Sequence, residues 1–147
     1  MIIRKITIEF TDDPSEIDNF GEGTYKNLPN GDKVVRAYCQ DDSDKWKIYS
    51  FLCAMHELTE FYLTEHHCIA EQLISDFDAW FEAQGFNPDD EPGDHILSPY
   101  HKEHRSSEMV EMYLAERFGI DWRKYLKEYV IPKDFKYNEN YGKENNI

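Results

Sequence analysis

The stretch IYSFLCAMHELTEFYL, residues 48–63, constrains this chain more than any other. Eleven of its sixteen residues are apolar or aromatic, yet His56, Glu57 and Glu60 interrupt it. On a helical wheel at about 100° per residue, His56 and Glu60 stand roughly 40° apart, among Tyr49, Leu52 and Leu63. Phe51, Met55, Leu58 and Tyr62 cover the opposite face. A helix that is apolar nearly all round belongs inside a fold. A carboxylate buried there without a partner costs several kcal/mol.

Two kinds of partner satisfy that cost. In the plainer one, His56 is a core histidine paired with one or both glutamates, with Lys47 or Arg117 nearby. In the other the partner is a divalent cation, because side chains at i and i+4 reach one ion, as in HExxH zinc helices. The string here is H-E-x-x-E. His56 and Glu60 take the ligand positions, and Glu57, about 100° further round, takes the place of the general base. On the string alone the paired core histidine is the favoured reading. A catalytic zinc takes three protein ligands and keeps one position open. SPYHKEH, residues 98–104, offers His101 and His104 as the third ligand.

The rest of the chain reads as a frame for that helix, which spans Trp46 to about Thr64. IIRKITIEF (2–10) alternates as a strand, and a short helix is expected after Pro14. GTYKNLPNGDKVVRAYC (23–39) reads as a hairpin turning at Asn30-Gly31. QDDSD (40–44) suits a helix N-terminus through caps and the macrodipole. A second helix over 69–83 carries Ile69, Leu73, Phe77 and Trp80 at helical spacing, after TEHHC (64–68) closes the first. The loop over 84–99 is long for a domain of this size, and such loops are often functional. Ser98-Pro99 reads as N-cap and first position of a third helix ending at Phe118, stopped by Gly119. DWRKYLKEYV (121–130) is a short last helix. The expected architecture is α+β, a small N-terminal antiparallel sheet packed on three to four helices. Residues 1–132 form a single metal-binding domain and 133–147 a flexible tail.

Composition narrows the function. Sixteen basic against thirty acidic residues leave a net charge of −14, a field that repels phosphate backbones and argues against nucleic acid. Three cysteines without a CxxC pair, and no leader or apolar run of membrane length, point to a cytoplasmic protein with no membrane partner. NPDDEPGD (87–94) is rich in carboxylates but lacks the order of an EF-hand loop.

Taken together, NGDKVVRAY, DKWKIYSFLCAMHELTEFYL, DEPGDHILSPYHKEH and MYLAERFGIDWRKY resemble a family of small bacterial and phage proteins. Its pattern runs from a hairpin and a Trp-led helix bearing HELxE through an EPGD loop and a PYxxEH segment to a closing G-x-D-W-x-x-Y. The resemblance covers about residues 23–126. It implies a zincin-like metal-binding fold with His56, Glu57, Glu60, Asp94 and His104 at the motif positions, His101 matching less regularly.

On the third helix, His104 lies about 80° from the centre of an apolar stripe formed by Val110, Leu114 and Phe118, and His101 about 140°. His104 is therefore the expected ligand and His101 the alternative. Asp94 and Glu108 are placed behind a ligand histidine, where a carboxylate can orient its ring. The resulting reading is one zinc per chain and metal-assisted hydrolysis of a peptide or protein amide, with Glu57 as base. An extended substrate would add to a sheet edge, for which KVVRAYC (33–39) is the expected strand. The alternative is a structural metal in an acidic interaction module. An iron triad of two histidines and a carboxylate is disfavoured by the helix-borne spacing.

Overall fold

The computed structural model describes residues 4–17, 21–87 and 89–131; the expected C-terminal tail lies outside them. An N-terminal three-stranded sheet packs against four helices, an α+β fold. The strands are β1 (Ile6–Thr11), β2 (Gly23–Asn27) and β3 (Lys33–Tyr38). The helices are α1 (Asp44–His66), α2 (Glu71–Ala83), α3 (His101–Arg117) and α4 (Trp122–Glu128). Short 3-10 turns occupy Pro14–Glu16 and Pro92–Asp94.

The sheet is mixed rather than purely antiparallel, and its order is β1-β3-β2. The hairpin pairs β2 with β3 antiparallel, as its turn dictates, whereas β1 lies parallel to β3, Ile6 opposite Lys33 and Thr11 opposite Tyr38. β2 intervenes in sequence between the two parallel strands, so no helical crossover joins them directly. KVVRAY is consequently the central strand. The edges are β1 and β2, which corrects the expectation that this segment is an open edge. Its burial follows from its place: Val35 and Ala37 are inaccessible, while Ile6 and Phe10 of β1 remain about half exposed.

Ser43 caps α1 by accepting from the Trp46 amide, and the helix lies against β2, β3 and α3. Leu52, Ala54, Tyr49 and Phe61 are buried on it, as the all-round apolar pattern requires. At its N-terminal end Trp46 and Tyr49 meet Tyr125 and Tyr129 in an aromatic cluster, and the Tyr129 hydroxyl donates to the Tyr38 carbonyl at 2.6 Å. That cluster fixes α4 and holds the sheet to the helices.

Three helical expectations change. α3 begins at His101, two residues later than the expected start at Pro99, because Ser98 Oγ accepts from the Tyr100 amide in a turn ahead of the helix. On α2 the inward side chains are Ile74 and Phe81, while Leu73 and Trp80 are largely exposed. On α3 the Val110-Leu114-Phe118 stripe is not the buried one. The helix instead buries Glu103, His104, Ser107, Glu111 and Ala115, and Val110 and Phe118 are exposed. A polar face turned inward on α3 marks where the site is. No helix among the described residues is long and apolar enough to cross a membrane.

Candidate metal centre

His56 and Glu60, one turn apart on α1, face His104 of the first turn of α3. All three are buried, with relative exposures of 8%, 6% and 5%. Glu60 Oε2 lies 3.3 Å from His56 Nε2 and 3.0 Å from His104 Nδ1, so one carboxylate oxygen sits between two imidazole nitrogens. The three ligand atoms lie within 4.8 Å of one another, a cluster able to coordinate a metal ion. Its origin is the i, i+4 spacing on α1, met across the α1–α3 contact by the ring on the inward face of α3.

Each ring is held on its other nitrogen by an acid. Glu111 Oε1 stands 3.5 Å from His56 Nδ1, and its other oxygen accepts from the buried Tyr125 hydroxyl at 2.9 Å. His104 Nε2 faces Glu91 at 3.2 Å and Asp94 at 3.5 Å. Such carboxylate–imidazole pairs fix ring orientation and raise ligand basicity at metal sites. Tyr25 of β2 donates to Glu60 Oε1 at 3.2 Å and stacks on Phe61. Glu91, Asp94 and His104 also form a possible ligand group, but its two acids are exposed and the buried trio is not.

The remaining sequence-predicted residues sit as follows. His101 donates from Nδ1 to the Gly93 carbonyl at 2.9 Å, pinning the 92–94 turn over the site. Glu108 accepts from Arg105 at 3.0 Å on the outer side of α3. Glu57 lies one residue round from His56, with Gly23 of β2 tight against it: a Cβ at Gly23 would fall 2.6 Å from Glu57 Cγ. Sequence reasoning missed Glu111, Glu91 and Tyr25. The 104–107–111 spacing on one face of α3 could have found Glu111. Nothing local marks Tyr25, which is 35 residues from Glu60.

The electrostatics favour positive charge at the centre, from ring protons or a cation. Four carboxylates touch the two imidazoles, and Glu57 adds a fifth within electrostatic reach. Arg105 reaches Asp94 only from outside, at 3.7 Å. Without a metal the cluster retains protons instead. Burial opposes charge on His104, but hydrogen bonds to Asp94, Glu60 and Glu91 outweigh it and push the ring up to about 12. Burial likewise opposes charge on His56, which Glu111 and Glu60 nonetheless raise well above its ordinary value. Glu60 is held down at about 2, the two histidines overcoming its desolvation. Glu57 moves the other way, to about 8, through burial and then the Glu60 charge.

These shifts set a pH dependence. Glu60 stabilises the metal-free fold above its ordinary value of 4.5, and that contribution is lost as pH falls toward about 2. His104 contributes fully below 6.5 and is lost as pH rises toward about 12. Glu57, raised to about 8, also favours the fold at low pH and loses that effect as pH rises through this value. Metal-free protein should therefore lose stability as pH rises above about 4.5, and more steeply above about 6.5. A cation competes with the ring protons, so the thermal shift produced by zinc should be larger at about pH 8 than at about pH 5.5. A zinc-induced shift that is equal at both values, in paired melting curves, would contradict this.

Gly93 gives a sharper test of the loop. A Cβ there would lie 2.5 Å from His104 Nδ1, so the turn and the ring are in direct contact. Gly93→Ala must displace a buried ring or its loop, at about 1–3 kcal/mol by analogy with overpacked cores. Lower melting temperature and weaker zinc binding are expected together; wild-type values in both assays would refute the contact.

No family model, curated protein or solved structure matches this chain.

Proposed function

We propose that the protein is a zinc-dependent hydrolase acting on a peptide or protein amide, with a zincin-like centre built on His56, Glu60 and His104. The observation that carries the reading is the convergence of these three buried ligand atoms within 4.8 Å, ringed by further carboxylates. Two neutral imidazoles and one carboxylate are a ligand set that suits zinc and supports catalytic sites. His101 is turned to the Gly93 carbonyl rather than to the trio, which favours an open fourth position over a closed structural site.

A bound zinc would supply Lewis acidity toward a carbonyl and toward water. The chain's own residues supply the rest. Glu111 and the Glu91–Asp94 pair hold the two rings in the orientation that leaves Nε2 of His56 and Nδ1 of His104 toward Glu60. Glu57 takes a proton from the attacking water and returns it to the leaving amine. The Tyr25 hydroxyl fixes Glu60 from the sheet. The sheet edge nearest the site is β2, whose Gly23 and Tyr25 already border Glu57 and Glu60, so an extended substrate would add there. The three cysteines are free thiols, in keeping with a reducing cytoplasm.

A peptide-library cleavage assay tests the reading. Cleavage that is abolished by a chelator and restored by zinc supports it. Full zinc loading with no cleavage across the library would instead support a structural metal in an acidic interaction module.

A further inference from the structure

Beside the metal centre lies a pocket of about 290 Å³, at the small end of ligand pockets, which run from about 300 Å³ upward. It therefore suits one long side chain rather than a whole ligand. Phe81, Phe86 and His95 line it as rings, and Asp90, Glu91 and Asp94 line it as carboxylates. The rings form a connected group, with centroids 4.8 Å apart for Phe81–Phe86, 5.6 Å for Phe86–His95 and 6.0 Å for Phe81–His95. Trp80 joins them 5.7 Å from His95. No lysine or arginine is among the lining residues. Arg105 approaches Asp94 at 3.7 Å, but its guanidinium is held closer, at 3.0 Å, by Glu108.

Aromatic faces attract a cation placed within about 6 Å of the ring. Carboxylates beside them add direct attraction, repel anions and give a neutral apolar group no advantage. Phe86 is 42% exposed, so a ring face is open to a ligand at the surface. The net charge of −14 favours the approach of a basic partner over longer range. Glu91 and Asp94 border both this pocket and His104 Nε2, so an occupant would sit one imidazole away from the metal trio.

We propose that this pocket receives the cationic side chain, arginine or lysine, of a peptide whose backbone passes the metal centre. The passing backbone rests on the hydrolase reading; the side-chain site does not. The pocket accordingly becomes a specificity determinant, directing the centre to basic sequences.

Calorimetric titration of the zinc-loaded full chain with Nα-acetyl-arginine amide tests this, with Nα-acetyl-citrulline amide as the neutral isostere. The arginine compound should bind at least about tenfold more tightly, and added salt should narrow the difference. Asp90→Asn and Phe86→Ala lie outside the metal trio and should each weaken arginine binding several-fold while leaving zinc content unchanged. Equal binding of the two compounds, no binding of either, or arginine binding untouched by both substitutions overturns the proposal. Glu57→Gln separates the two readings, since it should bind the arginine compound as wild type does. Arginine binding without any peptide cleavage would leave this pocket standing and sink the hydrolase, and cleavage without arginine preference would do the reverse.

Discussion

Replacing His104 with alanine is expected to release the metal, whereas His101→Ala should leave it bound. The two histidines share a helix turn but not a direction. His104 is buried with Nδ1 3.0 Å from Glu60 Oε2, while His101 spends its Nδ1 on the Gly93 carbonyl. Loss of an outer partner at a metal site costs about 10–100-fold in affinity, and loss of a ligand should exceed that. His104→Ala also leaves Glu60, Glu91 and Asp94 without their shared imidazole. Breaking a buried pair of this kind costs about 3–5 kcal/mol, so the metal-free variant should melt well below wild type. His101→Ala removes one loop hydrogen bond, worth about 0.5–1.5 kcal/mol. Equilibrium dialysis of both variants against zinc, with melting curves, checks the pair. Retained zinc in His104→Ala and loss in His101→Ala would reverse the assignment.

Glu57→Gln should keep the zinc and the fold and lose hydrolysis. Glu57 is not part of the ligand trio, and glutamine preserves its shape against Gly23. What goes is a carboxylate able to take a proton, and general-base catalysis is worth about 10²–10⁴-fold in rate. Glu60→Gln is the contrasting variant, since it alters a ligand and should reduce zinc content as well. Single-turnover cleavage of a substrate taken from the library assay, at matched zinc loading, measures both. Full activity in Glu57→Gln would remove Glu57 from the mechanism.

Much of the α1 half of the site could be read from the sequence. A histidine and a glutamate one turn apart inside an apolar helix had to be partnered, and α1 buries both. The hairpin, the Ser43 cap, α4 and the end of α3 at Gly119, where φ is +70°, also follow from local chemistry. What was hidden is set by tertiary packing. The parallel β1–β3 pairing joins segments 27 residues apart, which no local pattern encodes. The inward face of α3 differs from its apolar stripe because the site it lines is polar, so hydrophobicity does not mark burial there. Around the centre the buried residues are His104, Ser107 and Glu111, and the apolar Val110 and Phe118 face outward. Glu111 could have been found by asking which acids share a face with His104; Tyr25 and Glu91 come from other elements and could not.

Whether this cluster holds a cation is tested most directly by metal analysis of the untagged protein, purified without added metal. By inductively coupled plasma mass spectrometry the wild-type chain is expected to carry about one zinc, held by the buried ligand trio, and His56→Ala much less. Wild-type protein that is metal-free, and that neither takes up zinc on dialysis nor shifts its melting temperature when zinc is added, would contradict it. His56, Glu60 and His104 would then be a buried ion-pair network and nothing more.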